Sequence, residues 1–247
     1  LKLCDVPREC NVMNCHFVFA LKRKADGSVE RFKARLVADG NTQKQGIDYD
    51  RVFSTVVKMS TLRLLLIVAT ARRFYLTSVD IRQAFLQAKL DGDAHIYMRV
   101  PPGLPRVDKD DDAIVLRLRK SLYGLKQAGR EFNVLLVDFL ESVGFQRSTI
   151  DTCLFVRDTP GQRMMLAVWV DDIVVAAERQ ADHAAFVASL ETRFPVDDKG
   201  PLHWILGMQV SHQREERIMH VSQKLYVMDL LSRYAPFLTD ACRSYHV

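Results

Sequence analysis

The stretch MMLAVWV-DD-IVVAA, residues 164–177, places two adjacent aspartates between two apolar runs. The runs are rich in strand-forming residues, so they predict a tight hairpin with Asp171 and Asp172 as its two-residue tip, at or near the turn. Because both runs are apolar, both faces of the hairpin are expected to be covered. Two carboxylates about 4 Å apart repel by roughly 4 kcal/mol at an effective dielectric constant near 20 and therefore require open water, a basic partner or a metal ion. Asp-Asp is a poor turn sequence, which leaves an exposed turn and a functional site as the two interpretations.

A third aspartate, Asp80, ends the apolar run FYLTSV, which predicts a strand followed by a turn or short helix. Capping of that helix is one ordinary role for Asp80. The other is chemical: carboxylates at the ends of two strands suit two Mg²⁺ ions, which prefer oxygen ligands and together stabilise the attacking and leaving oxygens of a phosphoryl transfer. No HExxH, Walker A or Gly-x-Ser-x-Gly motif competes for a catalytic role.

A cationic strand is the second candidate feature. Residues 17–38 predict a hairpin that turns at Asp26-Gly27. On its second strand Arg31, Lys33 and Arg35 alternate with apolar residues, so they share one face at intervals of about 6.7 Å. This face is either solvated or binds a polyanion, and the net charge of +5 favours the latter without requiring it.

Helical spacing of apolar residues predicts two long helices, over 60–73 and 129–145. Ser or Thr at 60–61 would cap the first, and Gly144 lies near the end of the second. The positions expected to face the core are Leu62, Leu65, Leu66 and Ala69 in the first helix and Phe132, Leu135, Leu136, Phe139 and Leu140 in the second. Shorter elements mix without regular alternation, so the fold class is α+β.

The composition bounds the remaining possibilities. A chain of 247 residues, 48% hydrophobic and 26% charged, has room for one large domain or two to three subdomains. No apolar stretch approaches the roughly 20 residues of a membrane span, and the first ten residues lack a secretory h-region, so neither membrane contact nor secretion is expected. Five scattered cysteines favour a reducing cytosolic or nuclear compartment. The acidic segment 108–113 is expected to be a solvated loop.

Five motifs in order resemble the reverse transcriptase of Ty1/copia-type LTR retrotransposons: ERFKARLVADGNTQKQGIDYDRVFSTVV, SVDIRQAFL, KSLYGLKQAGREF, WVDDIVVA and HWILGMQV. The resemblance covers nearly the whole chain, from about Asp5 to Tyr234. It implies a right-hand polymerase fold with fingers and palm, an antiparallel sheet packed on helices, and only the start of a thumb. It divides the chain into fingers (1–78), the first catalytic strand of the palm (79–90), the return of the fingers (91–118), palm (119–212), and the primer-grip region with the start of the thumb (213–247).

The resemblance also implies an activity, RNA-directed DNA polymerisation, in which dNTPs are added to a primer 3′-hydroxyl. Asp80 and Asp171 would hold two Mg²⁺ ions, for which Mn²⁺ can substitute. The backbone carbonyl of Ile81 would be a further ligand, and Asp172 would be the accessory carboxylate.

Further residues are assigned by the same resemblance. Arg35, with Lys33, would bind the incoming triphosphate, and Phe85 would stand under the sugar and exclude a 2′-hydroxyl. The loop residues Tyr123, Gly124 and Lys126 would line the nucleotide and template. The positions assigned to primer and template are Trp169 and the primer-grip turn Ile205, Leu206 and Gly207.

The implied partners are an RNA or DNA template with its primer, dNTPs, and the RNase H and integrase parts of a Pol polyprotein. The implied location is the virus-like particle in the cytoplasm, with import into the nucleus allowed. The chain departs from the family pattern where Trp169 replaces a tyrosine, Gly129 a proline and Phe132 a tryptophan. Trp169 and Gly129 favour an alternative, a degenerate nucleic-acid-binding remnant without catalysis, whereas the intact Asp80, Asp171 and Asp172 argue against it. A two-metal nuclease is a second alternative and would need a further carboxylate near the centre, which the sequence does not reveal.

Overall fold

The computed structural model describes residues 10–23, 28–52, 54, 56–90, 95–103 and 114–235, together with the backbone of residues 2–5. The turn expected at Asp26-Gly27 and the acidic segment 108–113 lie outside these residues. Among the described residues, no helix is both long and apolar enough to cross a membrane.

The described chain alternates irregularly between strands and helices. The helices are α1 (Met59–Ala71), α2 (Ala84–Gln87), α3 (Ala128–Ser142), α4 (Gln180–Glu191) and α5 (Lys224–Tyr234). The strands are β1 (Lys2–Asp5), β2 (Val12–Met13), β3 (Cys15–Arg23), β4 (Val29–Ala38), β5 (Tyr75–Ile81), β6 (Tyr97–Arg99), β7 (Ile114–Arg117), β8 (Gln146–Arg147), β9 (Leu154–Arg157), β10 (Met164–Trp169), β11 (Asp172–Ala177), β12 (Val196–Pro201), β13 (Trp204–Ile205), β14 (Met208–Gln213) and β15 (Ile218–Ser222). This mixture confirms the predicted α+β class.

A six-stranded antiparallel sheet in the order β12-β5-β11-β10-β9-β8 forms the centre of the fold. All five residues Ile173–Ala177 of β11 are buried, and successive strand residues point to opposite faces, so both faces of the sheet are covered as expected. Helices α1, α3 and α4 pack on the sheet in one apolar core. The antiparallel sheet packed on helices is therefore confirmed.

The described residues also form three smaller sheets. A four-stranded sheet has the order β1-β7-β6-β2, a three-stranded sheet the order β13-β14-β15, and β3 and β4 form a two-stranded hairpin. The division of these elements into fingers, palm and thumb stays a prediction.

The predicted stripe of α1 is confirmed, since Leu62, Leu65, Leu66 and Ala69 are all buried. The predicted cap is wrong. The helix begins at Met59, so Ser60 and Thr61 lie inside its first turn. Instead, the buried carboxylate of Asp151 accepts a hydrogen bond of 2.9 Å from the backbone N–H of Lys58, the residue that precedes the helix.

Helix α3 spans most of its predicted range. Phe132, Leu136 and Leu140 are buried, while Leu135 and Phe139 are partly buried against the same core. The helix ends at Ser142, and Gly144 follows with a φ of +88°, a conformation that glycine adopts without strain.

Candidate active site

The hairpin of β10 and β11 turns one residue earlier than predicted. Its two-residue loop is Val170–Asp171, and Asp172 is already a strand residue paired with Trp169. Val170 has a φ of +56°, which is costly for a β-branched residue. Asp172 could not serve as a turn residue because it pairs at the same time with β5, so the neighbouring strand decides the register.

Two strands place carboxylates on either side of Asp80. Asp172 on β11 and Asp197 on β12 are both directly opposite Asp80 on β5. Directly opposed residues in an antiparallel sheet share a face, so three carboxylates form a row across three strands. The backbone N–H of Ile81 donates a 2.9 Å hydrogen bond to the carbonyl oxygen of Asp171, which ties the hairpin tip to the end of β5.

The ammonium group of Lys199 bridges this row. Its Nζ lies 3.1 Å from Asp172 Oδ1 and 3.4 Å from Asp80 Oδ2. Burial lowers the pKa of Lys199, but the hydrogen bond and charge of Asp172, followed by the charge of Asp80, shift it upward overall. The pair of aspartates therefore has a basic partner, one of the three environments that its charge requires.

Asp171 forms no ion pair with Lys199, whose charge only partly offsets the repulsion from the neighbouring carboxylates. Partial desolvation and then the charges of Asp80 and Asp172 raise the pKa of Asp171 above the ordinary value. A carboxyl group whose ionised form is disfavoured in this way gains most from a bound cation.

The donor set of the site fits a hard divalent cation, because every side chain in the row offers only carboxylate oxygens. Within the described part of the chain, however, no three His, Cys, Asp or Glu side chains are gathered closely enough to hold a metal ion as they stand. Metal binding would therefore require the carboxylates to converge.

A cavity of about 690 Å³ separates the carboxylates from the hairpin of β3 and β4. Asp80, Asp171 and Asp197 line one side, and Lys33 and Arg35 line the other. The cations therefore stand across a cleft from the carboxylates, in the arrangement that a phosphate group with its metal ions would need.

The predicted cationic face is present on β4, where Arg31, Lys33 and Arg35 occupy alternate positions. Partial burial lowers the pKa of Lys33, and the repulsion of Arg35 lowers it further, while the charge of Asp80 acts in the opposite direction. The guanidinium of Arg35 lies 5.3 Å from the ring centre of Tyr123, a cation–π contact that fixes its direction beside the cavity.

Phe85 lies behind the cavity wall. Its ring packs edge-on against that of Tyr123, with centroids 5.3 Å apart, and Tyr123 lines the cavity whereas Phe85 does not. Phe85 is partly buried against the core of the central sheet and against a second apolar cluster, which includes Met13, Ile96 and Met98. Its ring therefore supports the cavity wall through Tyr123 rather than forming part of the wall.

Gly124 has a tight backbone environment. Its φ is +90°, and a Cβ at this position would lie 2.1 Å from the carbonyl oxygen of Ala38 at the end of β4. The N–H of Ala38 in turn donates to the carbonyl of Tyr123 at 2.8 Å. Gly124 therefore allows the backbone of its loop to pack closely against the end of β4, at the base of the cationic hairpin.

Lys126 contacts Gln43 and Tyr49, and no ion pair joins it to a carboxylate of the site. Its Nζ donates to the carbonyl of Gln43 at 3.1 Å and lies 5.1 Å from the ring centre of Tyr49. It does not line the cavity.

The residues expected to contact the primer lie outside the cavity lining as well. Trp169 ends β10, partly buried against the main core. Leu206 and Gly207 form the two-residue turn between β13 and β14, with φ angles of +47° and +77°. Both central residues therefore adopt the left-handed conformation of a tight hairpin turn.

Comparison with known families shows to which family the chain belongs. A family model described as reverse transcriptase (RNA-dependent DNA polymerase) matches residues 1–245. The chain belongs to the reverse transcriptase family. That family consists of nucleotidyltransferases that synthesise DNA on RNA.

Among related polyproteins, the retrovirus-related Pol polyprotein from transposon RE1 of Arabidopsis thaliana is 39% identical over 227 residues, which are 92% of this chain and 15% of the relative. The Pol polyprotein from transposon TNT 1-94 of Nicotiana tabacum is 35% identical over 94% of the chain and 17% of its own length. The resemblance to Ty1/copia-type reverse transcriptases is therefore confirmed, and the chain spans about one sixth of these relatives.

A solved structure, that of the foamy viral protease-reverse transcriptase dRH in complex with ds DNA, is similar over 92% of this chain and 33% of that chain. The TM-score is 0.45 and the sequence identity is 14%.

Two residues of this candidate site, Asp197 and Lys199, received no role from the sequence. The sequence offers no clear third strand-end carboxylate, but in the structure Asp197 is directly opposite Asp80. Lys199 was not expected as an ion-pair partner. The one available signal was the segment DDKG at 197–200, in which acidic and basic residues follow a short apolar run.

The departures at Gly129 and Phe132 are accommodated by the reverse transcriptase fold. Helix α3 forms from Ala128 onward despite Gly129 in its first turn. The ring of Phe132 is buried, with its centroid 6.2 Å from that of Phe194.

Proposed function

We propose that this chain is the polymerising part of an RNA-directed DNA polymerase, which adds dNTPs to a primer 3′-hydroxyl by two-metal phosphoryl transfer. One observation carries the proposal: Asp172 is directly opposite Asp80, the tip residue Asp171 is hydrogen-bonded to Ile81, and this group faces Lys33 and Arg35 across one cavity.

Asp80 and Asp171 would hold two Mg²⁺ ions, assisted by Asp172 and the carbonyl of Ile81, and Mn²⁺ would substitute. When bound, the ions stabilise negative charge on the attacking and leaving oxygens. The carboxyl-only donor set supports this choice of cation. The raised pKa of Asp171 supports it too, because a bound cation would relieve the repulsion of the neighbouring carboxylates.

The side chains across the cavity bind and orient the nucleotide. The planar guanidinium of Arg35 can donate two parallel hydrogen bonds to phosphate oxygens, and Tyr123 keeps it directed along the cavity wall. Lys33 adds a second positive charge beside it. In this mechanism the protein contributes position and charge rather than a covalent intermediate.

The proposed partners are a template–primer duplex, dNTPs and the remaining parts of a Pol polyprotein, including RNase H and integrase. The relatives named as Pol polyproteins support the last of these. The proposed location is a cytoplasmic virus-like particle with import into the nucleus. Because cationic side chains would contact the nucleic-acid backbone, binding of the duplex should weaken steeply as salt is raised.

The decisive experiment is extension of a DNA primer on an RNA template by the purified chain in Mg²⁺ and in Mn²⁺. Wild type is compared with Asp171→Asn and with Asp158→Asn, a control at an exposed aspartate paired with Arg163. Extension that is lost only in Asp171→Asn supports the proposal. Salt-sensitive duplex binding without extension by any form would indicate the non-catalytic remnant, and metal-dependent cutting of the template would indicate a nuclease.

A further inference from the structure

Lys199 owes its position to an irregularity in β12. The pairing of β12 with β5 shifts register between Asp198 and Pro201. Gly200, in this segment, has a φ of +67°, and its N–H donates a 2.9 Å hydrogen bond to Asp198 Oδ1. A β-bulge of this kind redirects a side chain, and here it aims the Lys199 ammonium across β5 to Asp172 on β11.

The ion pairs of Lys199 involve the same carboxylates that the proposed function assigns to metal binding. Its Nζ lies 3.4 Å from Asp80 Oδ2 and 3.1 Å from Asp172 Oδ1. In the described part of the chain it is the one cation within ion-pairing distance of either carboxylate. Without it, Asp80 would stand between the unrelieved charges of Asp172 and Asp197.

An ammonium group and a divalent cation compete for these two carboxylates, because each neutralises their charge and the two cations repel one another. Mg²⁺ binds carboxylate oxygens at about 2.0–2.1 Å, and a Lys199 ammonium left in its present place would repel the ion at short range. The lysine can withdraw, because its side chain is 43% exposed and its four-carbon stem is flexible.

We propose that Lys199 is an exchangeable counter-cation: it neutralises Asp80 and Asp172 while no metal is bound, and it leaves them when a divalent cation binds. Lys199 then lowers the affinity of the site for the ion and stabilises the empty site. This inference rests on the proposed function, since it takes Asp80 and Asp171 as the metal ligands.

The test is the dissociation constant of Mn²⁺, measured by electron paramagnetic resonance at constant ionic strength, with the full chain and neither nucleotide nor nucleic acid present. Lys199→Met should bind Mn²⁺ about fivefold more tightly than wild type, the order of magnitude for removing a partly exposed ion pair. Lys199→Arg should bind close to wild type. Lys44→Met is the matched control, because Lys44 is exposed and lies outside the cavity lining.

Thermal unfolding gives a second readout. Lys199→Met should melt below wild type in chelator, and the difference should disappear in saturating Mn²⁺, where neither form uses the lysine. Unchanged or weaker Mn²⁺ binding by Lys199→Met would overturn the exchange.

Asp171→Asn distinguishes a failure of the Lys199 exchange from a failure of the proposed metal site. Asp171 would be a metal ligand, and it forms no ion pair with Lys199. If Mn²⁺ binding depends on Asp171 but Lys199→Met leaves it unchanged, only the exchange is wrong. If Asp171→Asn binds Mn²⁺ as wild type does, or if wild type and Lys199→Met both fail to bind it, the metal site and the exchange fall together.

Discussion

Asp172 on β11 lies directly opposite Asp80 on β5, at the end of a strand pair whose other positions are all uncharged. Two like charges at directly opposed positions destabilise a sheet. An apolar or hydroxyl-bearing pair would fit the rest of these strands better. The arrangement therefore has a cost in stability that only a bound cation, or Lys199 in its absence, offsets, which is typical of a functional site.

The first prediction concerns Asp171, whose pKa is raised by partial desolvation and by the charges of Asp80 and Asp172. Since the folded state disfavours its ionised form, Asp171→Asn should increase the free energy of unfolding of the metal-free protein at pH 7. The gain should be about 0.5 kcal/mol or less, because the hairpin tip is exposed and solvent screens its charge.

The pH dependence of this gain follows from the direction of the shift. The gain should be complete above the raised pKa and should shrink as the pH falls through it. It should vanish below the ordinary value of 3.8, where both states are protonated. Urea unfolding in chelator at pH 7 and near pH 4 measures it. A loss of stability in Asp171→Asn at pH 7 would contradict the electrostatic account.

The second prediction concerns Asp151, which is only 4% exposed. Burial raises the pKa of Asp151, but hydrogen bonds from Thr61 and from the backbone of Lys58 and Cys153 lower it to below its ordinary value overall. Asp151→Asn should lower the free energy of unfolding by about 2 kcal/mol at pH 7, because it weakens several buried hydrogen bonds to a charged acceptor.

The sign with pH is opposite to that of Asp171. A lowered pKa in the folded state stabilises the protein above the ordinary value of 3.8, and this stabilisation is lost as the pH falls through the lowered value. Wild type and Asp151→Asn should therefore converge in stability in strong acid. Urea unfolding at pH 7 and near pH 3 tests this, and a difference that stays constant with pH would exclude the carboxylate as its source.

The third prediction concerns the contact between Gly124 and the cationic hairpin. Gly124→Ala should destabilise the protein by at least about 2 kcal/mol more than Gly46→Ala, measured by urea unfolding. Both glycines have a positive φ, but a Cβ at Gly46 meets nothing within 4 Å, whereas one at Gly124 meets the carbonyl of Ala38 at 2.1 Å. Equal losses of stability in the two variants would mean that the positive φ alone, and not the contact with Ala38, explains the cost of replacing Gly124.

Hydrophobic periodicity was sufficient to predict the helices and strands whose apolar residues are buried in the core. The stripe from Leu62 to Ala69 and the apolar run after Asp172 followed from spacing alone, because burial of apolar area decides such elements. The turn at Val170–Asp171 did not follow, since pairing with β5 sets the register against local turn preference.

Long-range polar contacts could not be predicted from the sequence either, because they depend on how distant segments pack together. Asp151 supports the start of α1 from 93 residues away, and Lys199 reaches Asp172 only through a bulge that no period-two pattern reveals. The adjacent pair Asp171 and Asp172 and the cationic strand were recognisable because each of these two groups lies within one segment. Their common cavity depends on how β4 docks against the central sheet.

The last prediction concerns the choice of sugar. Phe85→Ala should raise the incorporation of ribonucleotides relative to deoxynucleotides by about tenfold, the scale on which one steric contact rejects an added hydroxyl. The ring of Phe85 supports that of Tyr123 on the cavity wall, so its removal should open space on the side where a sugar would lie. Competition between rNTPs and dNTPs in primer extension measures the ratio.

Phe139→Ala is the matched control. Like Phe85, Phe139 is partly buried and packs edge-on against another ring, that of Phe194, with centroids 5.4 Å apart, but it also lies outside the cavity lining and does not contact Tyr123. If both variants lose stability and neither changes the sugar ratio, Phe85 is a core residue and the selection lies with Tyr123 itself.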